Sequence, residues 1–321
     1  MRRYVIRRLI QAVVMLFVMS IGLFLLIHAM PGGPDAVLFS PRMTAATRAN
    51  LRHQYGLDQP LIQQYLSWLK SVLTGNLGFS FASGQPVAAE IGARIPATLE
   101  LFAVSLSFAL VVAILLGVIS AVRQYSLTDY SVTVLSYFGI AMPVFFFALI
   151  MQEIFGVKLG WLPTCCRTSA DTTGFTAFEN FQDAVIHLIM PAVVLSFLFI
   201  AGWSRYLRSS MLDVVKQDYI RTAKAKGLAS RSVFFGHALR NALIPLLTQV
   251  AIDVGAVFGG AVITETIFAW PGLGKLFYNS LQARDYPVLL SMLLLGAASV
   301  IVFNLLADVL YAVIDPRIRY S

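Results

Sequence analysis

Five cations lie within one helix-forming stretch, residues 217–245, which separates two long apolar segments of the sequence. They are Arg221, Lys224, Lys226, Arg231 and Arg240. A membrane protein that holds a structured basic block on one face is able to present it to a soluble partner. The alternative is a solvated charge run whose only effect is to fix the orientation of the chain in the membrane. The spacing alone leaves both interpretations open.

The pattern within this block predicts a helix, a glycine turn and a second helix. Ser209 or Ser210 is expected to cap the first helix by accepting a hydrogen bond from its free N–H groups. An apolar stripe follows at helical spacing, formed by Met211, Val215, Tyr219 and Ala223. Gly227 is expected to end this helix in the left-handed conformation, and residues 230–243 form the second helix before Pro245. Such a rigid knob suits a groove on another protein, and an amphipathic helix lying on lipid is the alternative.

The sequence carries no motif for catalysis of its own. ATP hydrolysis needs a phosphate-cradling loop of the form G-x-x-x-x-G-K-[ST]. The nearest match is Gly274-Lys275, where Ala269 replaces the first glycine and Leu276 follows the lysine. HExxH and GxSxG are absent, and the four histidines are scattered along the chain. We therefore predict no catalytic residue, no metal ligand and no directly bound cofactor.

The composition indicates an integral membrane protein, because 58% of the 321 residues are hydrophobic and only 12% are charged. About 20 apolar helical residues cross a hydrocarbon layer of about 30 Å. Six runs approach or exceed that length with no charge except Asp253 in the fifth: 9–34, 101–122, 131–152, 188–204, 241–264 and 286–307. The fourth run is short and is expected to recruit His187 or earlier residues. The runs lack the alternation of barrel strands, so the predicted fold is all-α with six transmembrane helices.

The distribution of Lys and Arg predicts that both termini are cytoplasmic. This orientation places most of the cations inside, including those of the basic block. The first apolar run is too long for a signal peptide and is expected to be a retained anchor. The net charge of +8 is explained by topology and anionic lipid, and is poor evidence for nucleic acid. The predicted divisions are 1–30, an extracytoplasmic segment 31–96, and a five-helix core 97–321 with a cytoplasmic loop at 205–245.

Several collinear motifs resemble one family of membrane proteins. The string DYIRTAKAKG at 218–227, followed by HALRNALIP at 237–245, is similar to the EAA loop of ABC importer permeases. The general pattern begins with glutamate where Arg221 stands, but the peptide-permease branch is similar to this sequence there. Further similarities run along the whole chain, among them YVIRR at 4–8, PGGP at 31–34, WPGLG at 270–274 and RDYP at 284–287. Together they resemble the first permease subunit of the peptide/nickel group of importers.

This resemblance implies an ABC type I importer permease in a bacterial or archaeal plasma membrane. Such a chain forms half of the pathway for di- or oligopeptides. Its implied partners are a second homologous permease, two ATPase subunits that hold ATP and Mg, and an extracytoplasmic binding protein. The residues implied to couple it to the ATPases are Tyr219, Arg221, Ala223, Lys224, Ala225 and Gly227. Nickel chelates, glutathione and oligosaccharides remain open as cargo, and a self-sufficient secondary transporter is the competing class.

Asp253 is the one acidic residue within the fifth apolar run. A carboxylate at membrane depth is costly and usually faces protein or water. Either Asp253 lines the pathway, or it makes a structural hydrogen bond to a partner helix. Gly255, Ala256, Gly259 and Gly260 are small enough to allow close helix contacts beside it.

The only two cysteines, Cys165 and Cys166, are adjacent in a predicted outer loop. Adjacent Cα atoms lie about 3.8 Å apart, whereas ordinary disulfides span about 5.5–6 Å. An unbridged pair, a strained vicinal bridge and a metal or redox role remain open.

The predicted orientation is tested by labelling thiols from outside intact cells. Cys165 should react with a membrane-impermeant reagent (after mild reduction if it is bridged), whereas a cysteine introduced by Ser230→Cys should not. The two positions lie on opposite sides of the membrane in this topology. The reverse labelling pattern would overturn it.

Overall fold

The computed structural model describes residues 2–29, 44–54, 56–255 and 261–314, and the regular secondary structure in these ranges consists of helices joined by turns and loops. The sole extended pairing in this part of the chain is an isolated bridge between Phe79 and Pro86. The helices are α1 Arg2–Ala29, α2 Ala45–Gln54, α3 Leu61–Leu73, α4 Val87–Val122, α5 Leu127–Ala141, α6 Val144–Met151, α7 Ala177–Val215, α8 Asp218–Ala225, α9 Ser230–Ser232, α10 Arg240–Gly255, α11 Val262–Ile267, α12 Leu273–Ala283 and α13 Tyr286–Ile314. Two π-helical turns cover Gln152–Lys158 and Val233–Leu239. The all-helical prediction is confirmed for the described residues.

Four described helices are long and apolar enough to cross a membrane, and a bent pair supplies a fifth if it counts as one crossing. The four stretches are Ile6–Ala29, Val87–Val122, Ala177–Val215 and Tyr286–Leu306. The predicted fifth span, 241–264, begins in α10, but residues 256–260 lie outside the described part. The count of six and the cytoplasmic termini therefore stay predictions.

The predicted third span, 131–152, is not one continuous helix. It falls across α5 and α6, which meet at a bend of 105°. Proline has no N–H and pushes the preceding residue out of the helical region. Met142 accordingly has ψ 123°, and Pro143 precedes the first turn of α6. Pro143 thus explains why the helix breaks where hydropathy alone predicts continuity.

α7 is longer than the predicted fourth span and includes it entirely. Thr176 and Glu179 form a reciprocal capping box at its start, so the helix recruits residues well before His187. Its 39 residues correspond to about 58 Å, more than a hydrocarbon layer needs. The expected cap at Ser209 or Ser210 is wrong, because α7 continues to Val215. The Ser210 hydroxyl instead donates to the carbonyl of Ala242, 3.1 Å away.

The described residues divide into two compact units, whose limits along the sequence are as follows. The first comprises residues 1–98, 256–262 and 271–302. In its core, Ile27 of α1 packs with Tyr286, Leu289 and Leu290 of α13. A second cluster joins the start of α4 to α12 and α13 through Val87, Ile91, Leu273, Leu276, Val288 and Met292.

A buried aspartate organises the loop of the first unit that precedes α4. The Asp285 carboxylate accepts hydrogen bonds from the Ser80 hydroxyl at 2.5 Å and from the backbone N–H groups of Phe81 and Ala82 at 3.1 and 3.2 Å. Such charge-assisted bonds are stronger than neutral ones. They hold residues 80–82 next to the start of α13.

The second unit comprises residues 99–255, 263–270 and 303–321. α7 lies at its centre and contacts α5, α6 and α10. Its main core cluster joins Ala109 and Ala113 of α4, Trp203, Leu207 and Met211 of α7, and residues of the basic block. The basic block is therefore part of the folded core of this unit.

Candidate functional site

Two residues, Lys216 and Gln217, connect the end of α7 to α8, the first helix of the basic block. Lys216 donates its N–H to the carbonyl of Asp213, and Gln217 donates to Val214. Gln217 then adopts an extended conformation, with ψ 149°, and precedes the first residue of α8. No side chain caps α8, so packing has to hold this eight-residue helix in place.

α8 is fixed by two apolar residues spaced three apart, which lie on one helix face. Ile220 and Ala223 are buried and belong to the core cluster that contains Met211 of α7. Val233 and Ala238 from the second π-helical turn complete this contact. The helix therefore has one anchored face and one outward face.

The structure separates the predicted coupling residues into two groups. Ala223 is buried in the core of the block, where its side chain holds α8 in place, and its coupling role stays a prediction. The others are exposed, namely Tyr219, Arg221, Lys224, Ala225 and Gly227. Tyr219 was predicted to share the apolar stripe with Ala223, but it points outward on α8.

Gly227 ends the helix as its position in the sequence predicts. Its φ is +77°, in the left-handed region that favours glycine. Leu228 donates its N–H to the carbonyl of Ala223 at 3.4 Å, and Gly227 donates to Lys224 at 3.0 Å. These two bonds form a Schellman motif. A Cβ atom at Gly227 would meet no atom within 4 Å, so the need for glycine comes from the backbone conformation.

The outward face of the block is basic and has two shallow depressions. Its five cations, Arg221, Lys224, Lys226, Arg231 and Arg240, are exposed, and so is Lys216 immediately before the block. Arg221 lies 3.6 Å from Asp218, but both side chains are largely exposed and the pair contributes little to stability. One depression of about 480 Å³ is lined by Tyr206, Asp213, Tyr219 and Asn241 among others. The other is lined by Ala229, Arg231, Ser232 and the half-exposed Phe235.

A buried ion pair supports the block from within the second unit, and sequence reasoning missed it. Arg208 of α7 donates from Nε and from a terminal nitrogen to the two oxygens of Asp129, each at 2.7 Å. The same carboxylate accepts from the Ser120 hydroxyl and from the backbone N–H of Tyr125. The sequence signal was Ser126 followed three residues later by Asp129 before an apolar run, which is a helix-start pattern. That signal predicts the start of α5 but not the contact with Arg208.

Asp253 is half-buried and bonded to two side chains of the same chain. Trp203 of α7 donates its indole N–H to Asp253 Oδ2 at 2.7 Å. Gln249, one turn earlier on α10, donates to Oδ1 at 3.1 Å. The carboxylate thus ties α10 to α7, as the structural interpretation expects. Of its small neighbours, Gly255 is buried, whereas Ala256, Gly259 and Gly260 lie outside the described residues.

The loop with the two cysteines is attached to the rest of the second unit. Cys166 has φ +74° and donates its N–H to the carbonyl of Phe268 at 2.7 Å. Both cysteine side chains are exposed. Within the described residues, no group of three or more His, Cys, Asp or Glu side chains is arranged to hold a metal ion.

Comparisons with known proteins match the whole length of the chain. Residues 113–320 match the family described as the binding-protein-dependent transport system inner membrane component. Residues 1–102 match the family that describes the N-terminal part of this membrane component. An oligopeptide transport system permease protein of Bacillus subtilis is 45% identical over the full length of both chains. A di/tripeptide permease of Pseudomonas aeruginosa is 41% identical and a dipeptide permease of Escherichia coli 39%, each over both full lengths.

Two substitutions separate the structural role of Asp253 from a charge-dependent role. Asp253→Asn keeps an oxygen that accepts from Trp203, whereas Asp253→Leu leaves the indole N–H without its acceptor, at a cost of about 1–3 kcal/mol. If Asp253 acts only through its hydrogen bond with Trp203, Asp253→Asn keeps the yield of folded complex and the transport of every peptide. Asp253→Leu then lowers the yield. If the charge acts in the pathway, Asn lowers the transport of cationic peptides at normal yield. Normal yield and transport in both variants would contradict both roles.

Proposed function

Because the chain belongs to the family of binding-protein-dependent transport system inner membrane components, we propose that it forms half of the pathway of an ATP-driven peptide importer. The membrane helices supply the pathway, and separate subunits supply the energy. Full-length relatives whose names specify dipeptides, di/tripeptides and oligopeptides support a peptide cargo. Its place is the plasma membrane of a bacterium or an archaeon.

The observation that carries this proposal is the arrangement of the basic block. α8 is anchored by Ile220 and Ala223, so its opposite side is presented as a preformed surface. Tyr219 lies beside a depression on this surface, and half-exposed tyrosines next to concave surfaces are frequent anchors of protein interfaces. The ATPase subunits, which bind ATP and Mg, dock on this outward face.

Force applied to α8 has a direct route into the membrane part of the second unit. α8 packs on Met211, which belongs to the same continuous helix as Trp203 and Arg208. Asp253 bonds to Trp203, so a displacement of α7 reaches α10 through one hydrogen bond. Docking of the ATPases is thereby coupled to the helices that form the pathway.

An importer of this kind needs two further partners. A second homologous permease completes the pathway, and an extracytoplasmic binding protein delivers the peptide. This chain carries no catalytic residue, and specificity for the cargo resides mainly in the binding protein.

The glycine turn provides the test of the docking surface. Gly227→Val should insert normally and yet lose most of the bound ATPase, because a left-handed conformation costs an ordinary residue about 1–2 kcal/mol and a β-branched residue more. Gly227→Asn is the matched control, since asparagine tolerates this conformation. We expect it to retain ATPase binding and transport. The measurement is the amount of ATPase that co-purifies with each variant, alongside peptide uptake.

Two outcomes with these variants would count against the proposal. Normal ATPase recovery and normal uptake with Gly227→Val would remove the turn from the docking surface. Equal losses with valine and asparagine would contradict the conformational argument, because only the valine variant carries the additional β-branched penalty.

A further inference from the structure

α3 has an apolar face that the first unit covers only in part. On this helix, Tyr65, Trp68 and Val72 are partly buried and lie along one side. A second apolar stripe runs beside them at spacings of four and three residues, formed by Ile62, Leu66, Leu69 and Leu73. Ile62 and Leu73 are 74% and 78% exposed, and Leu66 is 57% exposed. The remaining face is polar and exposed, and it carries Gln63, Ser67 and Lys70.

The partly buried side of α3 packs against α1. The Tyr65 ring lies 5.5 Å from the ring of Phe24, and the Trp68 ring lies 5.8 Å from it. The Tyr65 hydroxyl is 2.8 Å from the hydroxyl of Ser20. His28 Nε2 lies 3.2 Å from Gln64 Oε1. These contacts fix the level of α3 along α1.

The α1 residues that α3 contacts lie inside the apolar stretch with which α1 crosses the membrane. This stretch extends from Ile6 to Ala29. At 1.5 Å per residue, Phe24 lies about 8 Å and Ser20 about 14 Å inside its Ala29 end. Helices that lie in the membrane interface bury their apolar face about 5–10 Å below the headgroups. The Phe24 contacts of α3 therefore fall within this range below the boundary between headgroups and acyl chains, and the Ser20 contact lies a few ångströms deeper.

We propose that α3 is an interfacial membrane helix, with the stripe Ile62, Leu66, Leu69 and Leu73 embedded in the lipid leaflet in which α1 ends at Ala29. Its polar face, with Gln63, Ser67 and Lys70, meets the headgroups and water. Three features favour lipid over a protein partner. The stripe lies at acyl depth, the helix carries a Tyr and a Trp, which are enriched at this boundary, and Lys70 is placed to extend toward the headgroups.

This placement gives the segment before α4 a defined position relative to the bilayer. The same loop region is bound by Asp285 at residues 80–82, so it has one attachment to lipid and one to α13. The inference requires only that α1 crosses the membrane, and it holds whether or not the ATPases dock on α8.

The test uses spin labels on single cysteines in the full-length chain, purified with the subunits that accompany it and reconstituted into liposomes. Cys165 and Cys166 are first replaced by serine. One set of labels replaces the stripe, with Ile62→Cys, Leu66→Cys and Leu73→Cys. The matched set replaces the polar face, with Gln63→Cys, Ser67→Cys and Lys70→Cys. Collision rates are measured with oxygen, which concentrates in lipid, and with a water-soluble nickel complex.

We expect a ratio of oxygen to nickel collisions several-fold higher at the stripe than on the polar face. Leu26→Cys on α1 supplies the lipid reference, and the exposed loop position Thr173→Cys supplies the aqueous reference. High nickel accessibility at all six positions would show a helix in water and overturn the proposal. Protection of the stripe from both reagents would show that a protein covers it, which would also overturn the proposal.

Discussion

The ion pair between Arg208 and Asp129 is the contact on which the arrangement of the second unit depends. A carboxylate that is 2% exposed would be strongly destabilising without a partner. Arg208 neutralises it with two bonds, and the Ser120 hydroxyl and the backbone N–H of Tyr125 occupy further acceptor sites. The end of α4, the turn after it, the start of α5 and the last third of α7 therefore meet at one carboxylate. Met211, one turn beyond Arg208, then provides the surface on which α8 packs.

The same helix that carries this ion pair links α8, on which the ATPases are proposed to dock, to the membrane helices. α7 runs without interruption from the capping box at Thr176 to Val215, which is longer than a crossing requires. Its last turns bind α8 through Met211. Trp203, about three turns before the end of α7, donates a hydrogen bond to Asp253 of α10. A protein that must transmit the movement of an external subunit to its membrane helices needs such a continuous element.

The features that sequence predicted correctly are those set by local rules. Long apolar runs predicted helices because a backbone in lipid must satisfy its own hydrogen bonds, and Gly227 predicted a turn because few residues adopt a positive φ. The failures have non-local causes. Ser210 was predicted to cap a helix, but its hydroxyl donates to the carbonyl of Ala242, 32 residues away. Asp129 was missed because Arg208 lies 79 residues along the chain. Ala223 remains a predicted coupling residue, and the sequence alone did not show that tertiary packing turns its side chain inward.

The proposed function requires that peptides pass through this chain only when the ATPases bound to it hydrolyse ATP. Uptake of a labelled dipeptide into liposomes tests it directly. The complete set of subunits is reconstituted with the binding protein outside and ATP on the ATPase side. Uptake should require ATP hydrolysis, cease with a non-hydrolysable analogue and be absent from liposomes that lack this chain. Peptide uptake by this chain in the absence of ATP would contradict the proposed function and indicate a self-sufficient secondary transporter.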